Sequence, residues 1–406
     1  MENSKMNLNN VTLHDAANEV RDEISMKACE ITNEEALSVI ESFVFRNDKF
    51  AMYSRGEKAE VIDRLFYSLR SDLGVIQPYA DDDEVSEIMV NGKDDIFIER
   101  LGKIEKAKTY FEKTEELEEV IRRICAKIHR EINELNPIVD ARLADGSRVS
   151  AVYKNVAING PILTIRKFPK KEITMDLLIK NGTVTPEAAD FLKKLVIAGY
   201  NIFVSGGTSS GKTTFLNIMS DFIPRDERVI VIEDSAELQI REIKNIVRME
   251  CRNANVQGKG QVGMRQLIKT SLRMRPDRII VGEVRGEEVL DMIQAMNTGH
   301  DGSLSTGHGN SITGMLRRLE SMFLQAADFP IEAIRAQIAE GIDVIVHMGR
   351  LSDKTRKVLE IAEIKGFDGN NILINTIFKY KVNGGLVRSD NGLFHKEKLE
   401  LRGIAI

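Results

Sequence analysis

The run Gly206-Gly207-Thr208-Ser209-Ser210-Gly211-Lys212-Thr213 follows the spacing G-x-x-x-x-G-K-[ST], which fits a backbone loop closed around phosphate groups. Its glycines let the chain bend so that successive N–H groups aim at phosphate oxygens, with the positive end of a following helix behind them. Lys212 would reach the β- and γ-phosphates, the Thr213 hydroxyl would sit on Mg²⁺, and Thr214 carries the loop into the helix. Asn201-Ile202-Phe203-Val204-Ser205 ahead of the loop reads as a buried strand, and Thr214–Met219 behind it as a helix start. The expectation is a nucleotide site for ATP with Mg²⁺.

A phosphate loop alone means binding. Hydrolysis also needs a carboxylate that positions water, support for the metal and cations for the transition-state charge. Arg278-Ile279-Ile280-Val281-Gly282-Glu283 is an apolar strand ending in a carboxylate, the position of a Walker B element, with Gly282 where an Asp often stands. A second acidic group, Glu233-Asp234 with Glu237, follows the apolar strand Val229–Ile232. Strand ends beside a phosphate loop face the ligand in open α/β sheets, so Glu283 and Glu233 are expected near Mg²⁺ and the attacking water, in part through bridging water. The run Thr298–Ser311 holds His300 and His308, two of only six histidines. A γ-phosphate sensor would use His308 as a donor and His300 as a donor or orienter. A buried strand with a tight turn would need the glycines alone, and a metal site would lack a nearby Cys. Arg273, Arg275 and Arg278 cluster before the Walker B strand, as site residues or as salt-bridging ones.

These groups need a scaffold. From about residue 186, strands and helices alternate: Ile202–Ser205, Val229–Glu233, Ile246–Glu250 and Ile279–Val281, with a helix around Met264–Leu272. That alternation predicts a mostly parallel sheet wrapped by helices, hence an α/β, RecA-like P-loop core. Thr185-Pro186 reads as an N-cap followed by proline at the first helical position. Strand-like runs Val358–Ile364 and Ile372–Tyr380 suggest a β-rich tail within a domain spanning 186–406. Residues 1–80 read as helical: Thr32 and Glu35 have capping-box spacing, and Val61, Ile62, Leu65, Phe66 and Leu69 form an amphipathic stripe. Residues 81–168 read as an α+β domain. Its signals are Asn91-Gly92, Leu101-Gly102 and Asp145-Gly146 between strand-like runs, and a helix over Thr114–Arg130 with Glu at its start and Arg/Lys at its end. Residues 169–185, opening with Pro169-Lys170-Lys171, form the linker.

Composition narrows the class further. At 406 residues, 42% hydrophobic and 29% charged, the chain is globular with room for two or three domains. Its polar start has no signal-peptide core, and the longest apolar stretch, Leu195–Val204, is too short to span a bilayer. The expected location is the cytoplasm, with docking at the cytoplasmic face of the membrane through partners. Cys29, Cys125 and Cys251 are far apart and odd in number, which suits reduced thiols. A net charge of -5 and the absence of Trp argue against a nucleic-acid motor, which would want a basic channel and stacking aromatics. A nucleotide-gated scaffold that barely turns over is the other rival, and Glu233, Glu283 and His308 speak against it.

The chain resembles the type II/IV secretion ATPase superfamily, and most closely the CpaF-type ATPases of Tad/Flp pilus assembly. The stretches that carry the likeness include Glu87-Ile88-Met89-Val90-Asn91-Gly92, Val139-Asp140-Ala141-Arg142-Leu143-Ala144-Asp145-Gly146-Ser147-Arg148-Val149 and Leu163-Thr164-Ile165-Arg166-Lys167-Phe168. The phosphate loop, the acidic box Ile232–Leu238, the run Leu272–Gly286 and the histidine box complete it. Gly309 stands where that box usually has Ala. The resemblance implies a homohexamer of subunits with a PAS-like N-terminal domain and a RecA-like core. It further implies that arginines matching Arg142, Arg148 and Arg166 approach the phosphates. Inner-membrane platform proteins would receive the mechanical work. A type IV secretion ATPase is the alternative within the same superfamily.

Overall fold

The structure, a computed structural model, describes residues 10–26, 31–128, 130–143, 145–168, 173–252, 254 and 259–405. Cys29, Ala144 and the linker start Pro169-Lys170-Lys171 lie outside the described residues, as does the amino-terminal stretch through residue 9. The chain divides into two compact units, Met1–Lys171 and Glu172–Ile406.

The first unit opens with helices α1 (Asn10–Ser25), α2 (Asn33–Arg46) and α3 (Arg55–Arg70), followed by the short α4 (Gln77–Asp81). The capping box expected at Thr32 and Glu35 forms in both directions, and Ser54 with Glu57 builds a second at the start of α3. Leu13, Val20, Ile40, Phe43, Val61 and Leu65 close a small core among the first three helices. An antiparallel sheet follows, from β1 (Val85–Asn91), β2 (Ile96–Arg100), β3 (Lys103–Lys106), β4 (Ile138–Arg142), β5 (Arg148–Val152) and β6 (Ile162–Arg166), in the order β3-β2-β1-β6-β5-β4. Helix α5 (Thr114–Lys127) packs Leu117, Val120, Ile121 and Ile124 into its core, which also takes Leu73, Val75 and Ile76. Leu101 and Gly102 turn β2 into β3 with φ of 49° and 79°, as a tight hairpin with right-handed strand twist demands.

The second unit begins with α6 (Met175–Lys180) and α7 (Pro186–Ala198), the latter capped by the Thr185 side chain on the Ala188 N–H. Then come β7 (Ile202–Gly206), α8 (Lys212–Ser220), β8 (Val229–Glu233), β9 (Ile246–Glu250), α9 (Met264–Ser271), β10 (Arg278–Val284), α10 (Glu288–Asn297), β11 (Leu304–His308), α11 (Ile312–Ala326) and α12 (Ile331–Gly341). Strands β12 (Val344–Arg350), β13 (Arg356–Phe367), β14 (Ile372–Lys381) and β15 (Gly385–Arg388) and helix α13 (Glu397–Leu401) complete it. One nine-stranded sheet runs β15-β14-β13-β12-β7-β11-β10-β8-β9. Its strands β7 to β12 are parallel and β13 to β15 antiparallel. The expected β-rich tail therefore continues the core sheet. Strands β7 and β8 are buried at every position, as strands covered on both faces must be. Residues such as Leu192, Phe215 and Val231 fill one face, and Phe203, Ile279 and Leu319 the other. Among the described residues no helix is long and apolar enough to cross a membrane.

Candidate active site

Parallel strands end on the same edge of a sheet, and here that edge gathers the candidate residues. Register pairs His308 of β11 with Gly206 of β7, Met348 of β12 with the same Gly206, and Val284 of β10 with Gly307. Glu233 closes β8, the neighbour of β10 on the other side. The phosphate loop leaves β7 at the centre of this edge.

The loop's shape needs its glycines. A Cβ on Gly206 would lie 2.5 Å from Ser210 Oγ and 2.6 Å from the Met348 carbonyl oxygen, closer than real Cβ contacts allow. Ser209 and Gly211 both take left-handed φ, 57° and 93°, which turns the chain into α8 with Gly211 at the N-cap. Ser210 Oγ donates to the Gly207 carbonyl at 2.9 Å. A side chain the sequence reading missed braces the loop from outside: Arg356 Nε, at the start of β13, donates to the Ser209 carbonyl at 3.1 Å.

Lys212 is 6% exposed. Its Nζ donates to the Gly207 carbonyl at 3.0 Å and stands 3.4 Å from His308 Nδ1. With an ammonium facing Nδ1, that nitrogen is the acceptor and Nε2 carries the proton. His308 Nε2 lies 3.0 Å from Glu283 Oε1, although no hydrogen bond reaches that buried oxygen from the described residues. Glu283 Oε2 accepts from Arg285 at 3.1 Å, and Arg285 also stands 3.8 Å from Asp234. Burial alone would push the Glu283 carboxyl up, but Arg285, His308 and Lys212 together hold it below its ordinary range. Burial, with Lys212 adding to it, lowers the His308 imidazole despite Glu283. Burial likewise lowers Lys212, against the pull of Glu283. The line Lys212–His308–Glu283 thus holds a cation, a neutral imidazole and a carboxylate at neutral pH.

Glu233 differs. It is 4% exposed, and its Oε1 accepts the backbone N–H groups of Glu237 at 2.7 Å and Leu238 at 2.9 Å. Burial raises its carboxyl above the ordinary value in spite of those two donors. In this structure Glu233 holds the acidic loop in shape. Gly282 eases that packing: a Cβ there would lie 3.0 Å from Glu233 Cγ, so a side chain at 282 would press on Glu233. Gly309 is explained similarly, since a Cβ would fall 2.9 Å from Ser205 Oγ and 3.0 Å from Met315 Cβ. Below it, Ser205 Oγ lies 3.2 Å from His347 Nδ1, and the buried His347 is also hydrogen-bonded to the Asn310 backbone. His347 therefore links the phosphate-loop strand to the histidine box.

Two expected site residues belong elsewhere. His300 precedes β11 by four residues, at the opposite end of that strand from His308, and its Nδ1 sits 3.1 Å from the Ala295 carbonyl. It caps the end of α10 and cannot sense a γ-phosphate. Arg278 is the first residue of β10, 1% exposed, ion-paired with Glu227 and donating to the Val196 carbonyl. It is a buried structural cation at the far edge of the sheet. In the first unit, register aligns Arg142 of β4 with Arg148 of β5, and Arg148 with Arg166 of β6. Three like charges on adjacent strands repel one another, and Arg142 is tied down through Nε to the Gly146 carbonyl and over the Phe168 ring. Short motifs carry no sign of Arg356 or His347, because only the pairing of β12 with β7 and β13 brings them to the loop.

A mostly parallel sheet with a phosphate loop on its central strand, and a carboxylate and a histidine on neighbouring strand ends, defines a RecA-like P-loop NTPase core. Residues 70–384 match the family described as Type II/IV secretion system protein. The chain belongs to that family of secretion ATPases. Conjugal transfer protein TrbB of Rhizobium radiobacter is 34% identical over 313 residues, 76% of this chain and 93% of its own length. Type IV secretion system protein PtlH of Bordetella pertussis is 31% identical over 318 residues, 71% of this chain and 93% of its own. The Legionella pneumophila ATPase DotB shares the fold with a TM-score of 0.52 at 20% identity, covering 70% of this chain and 78% of that one.

Proposed function

We propose that this chain hydrolyses ATP and couples the hydrolysis to pilus assembly, as a CpaF-type ATPase working as a homohexamer at the cytoplasmic face of the membrane on inner-membrane platform proteins. The observation that carries the ATPase reading is the line Lys212–His308–Glu283, with spacings of 3.4 and 3.0 Å at the mouth of the phosphate loop. Backbone N–H groups of Gly207 to Thr213, with Thr214 following, receive the phosphates. Lys212 exchanges the Gly207 carbonyl for phosphate oxygens, His308 reads the terminal phosphate, and the ionised Glu283 orients water. Arg285, bridging Glu283 and Asp234, fixes the carboxylate. Glu233 and Glu237 shape the acidic loop beside it.

The residues present fit Mg²⁺. Glu283 Oε1 is a buried oxygen with no hydrogen bond from the described residues, and Thr213 follows Lys212 at the head of α8. Among the described residues no group of three His, Cys, Asp or Glu converges; Thr213, Glu283 and Glu233 would hold the ion, in part through water, together with phosphate oxygens. This is how Mg²⁺ is held in nucleotide enzymes, and it supplies charge neutralisation on the phosphates. Phosphate-directed roles for Arg142, Arg148 and Arg166, implied by the family resemblance, belong to the same proposal. The division into a helical segment (1–80), an α+β domain (81–168), a linker (169–185) and an ATPase domain (186–406) belongs to the same proposal.

A second reading, a type IV secretion ATPase, is favoured by the names of the relatives TrbB and PtlH. Lys212→Ala tests the site: phosphate release from the purified variant should be lost, and normal release would reject the assignment. In cells carrying only this variant, loss of surface filaments supports pilus assembly, whereas intact filaments with failed substrate export would favour type IV secretion.

A further inference from the structure

We propose that Arg318 binds the terminal phosphate of the nucleotide, so that the core supplies a phosphate-directed arginine of its own; this rests on the ATP reading above. A cleft of about 540 Å³ opens beside the phosphate loop, with Gly207, Thr208, His308, Asn310, Gly314 and Arg318 in its walls. Lys212 marks which end of the nucleotide this cleft receives. Its Nζ rests on the Gly207 carbonyl and beside His308, both cleft walls, and a phosphate-loop lysine reaches the β- and γ-phosphates.

Helix geometry explains how Arg318 gets there. Cα–Cβ bonds tilt toward a helix's N-terminus, so a long side chain lies over the preceding turn. For Arg318 in α11 that turn holds Gly314, at i−4, just after the N-cap Ser311. The Gly314 N–H donates to Ser311 Oγ at 2.9 Å, and a Cβ at 314 would lie 3.0 Å from that same oxygen. The tight cap favours glycine, and the glycine leaves an open lane from Arg318 to the cleft. Arg318 is exposed and shares the cleft walls with His308. Among the described residues it has no ion-pair partner, whereas Arg285 is engaged by Glu283 and Asp234. A planar guanidinium facing a phosphate cleft can give two parallel N–H donors to one phosphate.

The test titrates full-length protein with a non-hydrolysable ATP analogue and with ADP, both with Mg²⁺. Arg318→Met should weaken the analogue by about ten- to a hundredfold and ADP by no more than about twofold, the range expected when a hydrogen bond to a charged group is lost. Arg318→Lys should recover part of the loss, since it keeps the charge without the fork. Arg317→Met, one residue along and outside the cleft walls, should bind like the unaltered protein. An Arg318→Met variant that binds both nucleotides normally, or weakens both equally, overturns the proposal while the ATP reading stands. An unaltered chain that binds neither nucleotide overturns the ATP reading itself.

Discussion

Replacing Glu283 with Gln removes one negative charge and preserves the side chain's shape. That charge stands 3.0 Å from His308 Nε2 and 3.1 Å from the Arg285 guanidinium, and Lys212 is among the cations that lower its pKa. The carboxylate is therefore ionised at neutral pH and aimed at the mouth of the loop. A positioned acid–base group contributes about 10² to 10⁴ in rate, which at 1.36 kcal/mol per decade is about 2.7 to 5.4 kcal/mol of barrier. Glu283→Gln should lose that much kcat. Binding should not fall with it, because the variant makes the surroundings of Lys212 one charge more positive, and ATP is an anion. Glu233→Gln is the contrast. Its carboxamide oxygen can still accept from the Glu237 and Leu238 N–H groups, so its kcat should fall less. Phosphate release and a titration with a non-hydrolysable analogue, both with Mg²⁺ in excess, measure the two effects separately. A Glu283→Gln variant with an unaltered kcat refutes the argument for Glu283. If Glu233→Gln is then inactive, the two carboxylates exchange roles, and if both variants are fully active the pair is rejected.

Arg278→Met should act on stability alone: Glu227 would keep only the exposed Arg402, 3.5 Å away, and since breaking a fully buried ion pair costs about 3–5 kcal/mol, at about 2–4 °C per kcal/mol for a domain of this size the melting temperature should fall by up to about 20 °C. Differential scanning calorimetry checks this, and a variant of normal stability with lost ATPase activity would return Arg278 to the site. The pH profile follows from the two depressed groups. Glu283 lies below its ordinary 4.5 and His308 below its ordinary 6.5, so at pH 6.5 the carboxylate is still charged and the imidazole still mostly neutral. With Mg²⁺ in excess, the acid limb of kcat/KM should be centred below pH 6.5; an acid limb centred above 6.5 would contradict the assignment.

Much of the core is legible from contiguous residues because its chemistry is contiguous. The phosphate loop, the strand ending at Glu283 and the histidine box each announce a type of group and a strand to hold it, and the α/β rule sends strand ends to one edge. What sequence does not show is which end of a strand a motif's residue occupies. His300 and His308 fall in one glycine-rich run, yet β11 climbs roughly 13 Å from Leu304 to His308, and only His308 reaches the loop. Arg278 and Glu283 likewise share one motif, with roughly 17 Å of β10 between them. The same geometry hides Arg356 and His347, which come from strands more than a hundred residues beyond the loop and meet it through register. Gly282 shows a third limit. Its missing side chain reads as a departure from a motif, and only the structure shows Glu233 on the neighbouring strand packed 3.0 Å from where a Cβ would be. Position along a strand, more than membership of a motif, therefore decides which of these residues can touch a phosphate. By that criterion Lys212, His308 and Glu283 share the loop's edge of the sheet, and His300 and Arg278 lie at the other.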